Sequence, residues 1–178
     1  MIPTLLSTST ASNDSSVSIT SSITSTYDHY MFVMTDIGPA DNNVDFSFQV
    51  NGAGESGFNE TMNTAVFRGS HEEDDSPAAS IAYSAGADQA NGTAYQLITN
   101  ATGNGSDESC AGILHLFSPA STTYAKLFYC RMSNYGGNNV CEDQHVAGYI
   151  NTTTAIDEIS FKMSSGNFDG VIQMFGIA

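Results

Sequence analysis

Val44-Asp45-Phe46-Ser47-Phe48-Gln49-Val50 alternates apolar and polar residues without a break. A period of two puts Val44, Phe46, Phe48 and Val50 on one face of an extended chain and Asp45, Ser47 and Gln49 on the other, the pattern of a half-buried β-strand. A helix of 3.6 residues per turn would divide the four apolar residues between opposite sides of its axis. The same reading applies outward from this stretch to Val17 and Ile19, to Ala65 and Phe67, and to Ile159, Phe161 and Met163 alternating with Glu158, Ser160 and Lys162. Two runs, Tyr30 to Met34 and Ile113 to Phe117, are apolar at both parities. They predict central strands, or strands covered by another subunit, at the centre of the core.

Turn chemistry separates these runs. Gly38 to Asn43, Asn51 to Asn59, Glu72 to Ser76, Asn100 to Asp107, Ser118 to Thr123, Ser133 to Asn139 and Ser164 to Gly170 are rich in Gly, Asn, Asp and Ser. Gly and Asn tolerate positive φ, and Asp, Asn and Ser bond their own backbone. Their spacing predicts roughly ten to twelve short strands in an all-β, antiparallel β-sandwich or jelly roll. A single short helical turn is expected around Ala87 to Asn91. No internal repeat or linker divides the chain, so residues 1–178 read as a single β-sandwich domain.

Composition supports that class. The 178 residues are 40% hydrophobic and only 13% charged, so neutral groups, 40 Ser and Thr among them, supply most of the polar surface. Thr, Val, Ile, Tyr and Phe are common while the helix formers Lys, Glu, Arg and Gln are scarce. Four Lys and Arg against 19 Asp and Glu give a net charge of −15. A nucleic-acid partner is excluded by that balance, because phosphate binding is mainly charge neutralisation by Lys and Arg. An anionic membrane would repel the chain, and no apolar run approaches the roughly 20 residues of a membrane span. Met1 to Thr10 lacks a basic region followed by an apolar stretch, so no Sec-type signal is expected.

Catalytic signatures do not occur: there is no GxSxG elbow, no GxxxxGK[ST] loop, no HExxH and no dinucleotide fingerprint. The expectation is a non-enzymatic protein without cofactor or metal. His29, His71, His115 and His145 are scattered singly. His115, inside an apolar run, is expected to be hydrogen-bonded in the core or at a subunit contact, and Asp28–His29 and Asp143–His145 are the two pairs a dyad would use. His71-Glu72-Glu73-Asp74-Asp75 reads as a solvated acidic loop ahead of Pro77, since it lacks the spacing of a calcium loop. If residues 110–118 and 124–132 form a hairpin, Cys110 and Cys130 fall on one face within about one pair of each other, close enough for a disulfide; the other reading is that these two and Cys141 are buried thiols. Tyr95, Tyr124 and Tyr135 lie near turns and are the candidate ligand-contacting residues, as sugar-stacking surfaces of a carbohydrate-binding module or adhesin.

Several phrases of the chain resemble a family of small virion-associated proteins of tailed bacteriophages, found especially in marine phages. They are Ser25-Thr26-Tyr27-Asp28-His29-Tyr30-Met31-Phe32 with its continuation through Asp36 to Ala40 and Phe46 to Val50, then Asp88 to Tyr95, Gly112 to Thr123, and Val146 to Asn167. The resemblance spans most of the chain and implies a β-sandwich exposed on the particle, as a tail-fibre or tail-associated component or a capsid decoration protein. It implies no catalytic residue. The expected partners are copies of the chain itself, as a homotrimer by analogy with other phage jelly rolls, together with other virion proteins and a host-surface glycan. The expected location is the virion, head or tail, after synthesis in the host cytoplasm.

Overall fold

The computed structural model describes residues 2–76 and 79–178, and within them the chain forms thirteen strands and no helix. They are β1 (Thr4–Asp14), β2 (Val17–Ile19), β3 (His29–Pro39), β4 (Phe46–Gly52), β5 (Met62–Glu72), β6 (Ser80–Tyr83), β7 (Ala90–Gly92), β8 (Gln96–Leu97), β9 (Cys110–Phe117), β10 (Lys126–Gly136), β11 (Val140–Ile150), β12 (Ile156–Met163) and β13 (Phe168–Ile177). Every pairing is antiparallel. One sheet runs β1-β13-β3-β9-β10-β11-β5-β6, with β7 also on β5; the other runs β2-β12-β4-β8.

This order is a jelly roll with insertions. Take β1, β2, β3, β4, β8, β9, β12 and β13 as strands one to eight. The large sheet then begins 1-8-3-6 and the small sheet is 2-7-4-5, the two interlocked Greek keys of an eight-stranded jelly roll. Between the fourth and fifth of these strands the chain inserts β5, β6 and β7, and between the sixth and seventh it inserts β10 and β11. The inserted strands all join the large sheet beyond β9, which is why it reaches nine strands while its partner has four.

The core lies between the sheets. Phe46, Phe48, Phe128, Phe161 and Phe168 are buried there, with Phe48 edge-on to Phe128 (centroids 5.1 Å apart) and Phe46 edge-on to Phe168 (5.4 Å). Each buried ring contributes about 1.5–3 kcal/mol from area alone. The doubly apolar runs are central, as their sequence predicts: they lie in β3 and β9, which pair with each other in the middle of the large sheet. Phe32 and Leu114 face the core, while Met31, Val33 and His115 face outward and are only half-buried.

Four expectations are corrected. Ala65 and Phe67 do not form the buried face of their strand: in β5 it is Val66, between them, that faces the core, while both of its neighbours point to solvent. The Val44 to Val50 stretch is not half-buried, because all of β4 is enclosed and Val44 precedes it, bridging to Thr102. The polar side of β4 is roofed by the chain that follows it: the Gln49 amide donates to the carbonyls of Glu60, Thr93 and Ala94, and the Ser47 hydroxyl to that of Lys162. The helical turn around Ala87 to Asn91 is a tight turn closed by Ala87 N–H on Ser84 O, running on into β7. The last concerns the cysteines: of the three expected as buried thiols Cys110 and Cys130 are so placed, but Cys141 is exposed, and the hairpin that would pair the first two is shifted. Register sets Cys110 opposite Asn134 and Cys130 opposite Leu114, two residues away from the hairpin the sequence suggests, and both thiols are free and buried. The β9–β10 connection is longer on its β10 side, where Thr123 to Ala125 precede the first strand residue.

Candidate functional site

The outer face of the large sheet is the most distinctive surface of the molecule. Alternation in β3, β9, β10, β11 and β5 sends Phe32, Leu114, Cys130, Val146 and Val66 inward, so their neighbours point to solvent. Register aligns those neighbours into rows. One row is Val33, Ile113, Arg131, His145, Phe67 and Tyr83; the next is Met31, His115, Tyr129, Ala147 and Ala65. A soluble strand face of this kind is ordinarily polar.

Here it is apolar and aromatic. Nine large hydrophobic side chains are exposed among the described residues, and seven of them (Leu5, Phe67, Ile81, Tyr83, Ile113, Leu127 and Tyr129) lie on this one face; Ile2 and Tyr124 do not. Scattered exposed hydrophobes are normal, but a contiguous patch marks a contact surface. The rings are ordered by stacking: His145 lies flat on Phe67 (4.7 Å, 4°), His115 on Tyr129 (4.5 Å, 27°) and His29 on Phe117 (4.6 Å, 25°). Tyr129 stands between two shallow hollows. One, of about 490 Å³, is lined by Ala111, Ile113, Arg131 and Ser133; the other, of about 610 Å³, by Ala65, Leu127, Ala147 and Tyr149.

The polar groups of the face are satisfied among themselves. Arg131 grips Asp143 with two hydrogen bonds of 2.9 and 2.8 Å and holds its carboxyl below the ordinary carboxylate range. His145 Nε2 is 3.3 Å from the same carboxylate, so the Asp143–His145 pair does form, with Arg131 as its third member. His29 Nε2 meets His115 Nδ1 at 2.7 Å, so the hydrogen bond of the His29 ring goes to another histidine and not to Asp28. Burial pushes both imidazoles below their usual value, and the charge of His29 lowers His115 further.

Tyr95, Tyr124 and Tyr135 are not brought together. The Tyr95 ring is half-buried beneath the Lys162 ammonium, 4.1 Å from its centroid. The Tyr135 hydroxyl donates to Glu73 Oε1 at 2.9 Å, and Tyr124, 73% exposed, sits at the opposite end of β10, roughly 35 Å away at strand spacing. They cannot form one stacking platform. Glu73 to Ser76 are exposed, whereas Pro77 lies outside the described residues; among those described, no three His, Cys, Asp or Glu side chains are grouped to hold a metal.

Sequence reading offers cover by another subunit for Tyr30 to Met34 and Ile113 to Phe117 but misses the continuation of that face through β10, β11 and β5, although a signal for it exists. Leu127-Phe128-Tyr129-Cys130 is apolar at both parities, just as Tyr30 to Met34 is, and only the register shows that its second face meets no partner within the fold. No family model, curated protein or solved structure matches the chain.

Proposed function

We propose that this chain is a non-enzymatic structural protein of a tailed-phage particle, displayed on its surface and acting by packing against copies of itself and neighbouring virion proteins. The observation that carries the reading is the apolar outer face of the large sheet on a molecule whose net charge is −15. A free-standing soluble domain would cover or polarise such a face, while a component that spends its life packed against another subunit has reason to keep it. The phrases resembling marine-phage virion proteins give the particle its identity in this reading, and the jelly roll supplies a scaffold on which both sheets can carry contacts.

Gradient-purified particles of the phage that encodes the chain test it. Mass spectrometry should find the chain at a copy number that is a multiple of the particle symmetry, and a map of the particle should place its large sheet against protein. Absence from purified particles overturns the proposal.

A further inference from the structure

The occupant of the outer face follows from its charge and shape. Each of the four cationic side chains is engaged within its own fold: Arg131 on Asp143, Arg68 on Glu142, Lys126 buried on the Thr152 carbonyl, and Lys162 over Tyr95. An acidic partner would therefore find no free cation here, and a basic one would be drawn to the carboxylate-rich loops instead. The central rows of the face carry one ion pair, Arg131–Asp143, and are formally neutral with the histidines uncharged. Set against any other part of this acidic molecule, the face would strip water from carboxylates it cannot pair. Set against itself, it buries apolar surface together with a carboxylate, Asp143, that already has its cation in Arg131 of the same copy.

Its extent suits such a contact. Phe67, Ile81, Tyr83, Ile113, Leu127 and Tyr129 are between 37% and 85% exposed. At roughly 200 Å² for a fully exposed large side chain they present on the order of 600 Å². The half-buried His115, Phe117, His145 and Tyr149 bring the face close to the ~800 Å² per partner of a specific interface.

We infer that the outer face of the large sheet binds a second copy of itself, sheet on sheet about a two-fold axis, with Tyr129 of each copy seated in the Ala65–Ala147 hollow of the other. The inference deepens the structural-protein reading, on which its biological purpose rests. A single self-complementary patch makes an isologous contact, in which each residue's contact is returned by symmetry, and so closes at two copies; a three-fold ring needs two different patches that fit each other. Two sheets stacked this way lie about 10 Å apart, which leaves room for an aromatic ridge from one to fill a small-residue hollow in the other.

Sedimentation equilibrium of the full chain at micromolar concentration tests this directly. The expected mass is twice 18.8 kDa. Leu127→Glu and Leu127→Lys, at a position 60% exposed, should each weaken the dimer by roughly 30-fold or more, since each change enters the contact twice. Tyr124→Glu, off the face, should leave the dimer intact, and circular dichroism should show all three variants folded. A monomer, a trimeric mass, or a dimer indifferent to both Leu127 changes overturns the two-fold contact. None of those results bears on whether the chain is found in purified particles, and its absence from particles would leave a solution dimer standing.

Discussion

His29 on β3 and His115 on β9 are diagonal neighbours on adjacent strands of the large sheet, with Nε2 and Nδ1 only 2.7 Å apart. One ring must donate and the other accept, so the pair is stable with one proton between these two nitrogens and resists a second charge. Both imidazoles titrate below their ordinary value of 6.5, from burial first, and for His115 also from the charge of His29.

A stability change with a definite sign follows from that pair. Below about pH 6.5 the unfolded chain binds protons that the folded pair refuses, so the contribution of the pair is complete above 6.5 and is lost as pH falls through the lowered values. Glu60 and Glu142 work in the opposite direction, because their raised carboxyls cost stability as pH climbs above about 4.5. Urea midpoints measured from pH 8 to pH 5 should fall on the acid side, and His115→Phe, which keeps a ring over Tyr129, should fall less. Parallel curves for the two proteins would remove the pair as the cause.

Glu142 is 3% exposed and uses one oxygen fully: Oε1 accepts from Arg68 Nη1 at 2.8 Å and from Asn100 Nδ2 at 3.3 Å. Its Oε2 has no partner, and neither do Asn134 Oδ1 on the opposing strand and Gln144 Oε1 two residues on. Three buried acceptors without a donor are costly, each about 1–3 kcal/mol. Glu142→Gln supplies an N–H among them and keeps an oxygen for Arg68, so it should match or exceed the wild-type melting temperature. Glu142→Ala removes the acceptor of a partly buried guanidinium and should cost about 2–3 kcal/mol in chemical denaturation. A Gln variant as damaged as the Ala variant would mean the ion pair outweighs the orphaned oxygens.

Much of the fold was legible because hydrophobic periodicity records the local face of each strand. Ile159, Phe161 and Met163 are buried as their alternation requires, and the runs in β3 and β9 are central. What periodicity does not record is who covers a face. β4 alternates like a surface strand and is enclosed because Gln49 ties down the carbonyls of Glu60, Thr93 and Ala94, bonds between residues up to 45 apart in sequence. The outer face of β10 is the converse: Leu127 and Tyr129 look like core residues and are exposed. Cys110 and Cys130 were misplaced for a related reason, since a shift of two residues in hairpin register leaves every side chain on its expected face while changing its neighbour.

Gly112 on β9 lies opposite Met132 on β10. A Cβ there would collide with the Arg131 carbonyl oxygen and come within 2.8 Å of Met132 Cα, both backbone atoms that cannot swing away. Gly112→Ala should therefore force the central strands apart and destabilise the protein by about 1–3 kcal/mol or more, read as a lower urea midpoint and reduced soluble yield. Gly54→Ala provides the contrast: its Cβ would meet no atom within 4 Å, so only the backbone strain of φ +82° opposes it. Equal losses at the two positions would show that the close approach of β9 and β10 is not the limiting contact.

The three thiols divide into two environments. Cys110 and Cys130 are buried on the inner face of the large sheet, where desolvation pushes Cys110 up to about 12 and Cys130 higher still; Cys141, near the hairpin at Gly136–Val140, is exposed. Thiolate is the species that reacts with alkylating agents, so burial blocks both access and ionisation at the first two. Brief treatment of the native protein with iodoacetamide should add one group, mapped by peptide mass spectrometry to Cys141. In denaturant without reductant all three should react, because register holds Cys110 against Asn134 and Cys130 against Leu114 and no bond joins them. Two cysteines that stay unmodified until a reductant is added would place a disulfide between Cys110 and Cys130, and with it a register shifted from the one described.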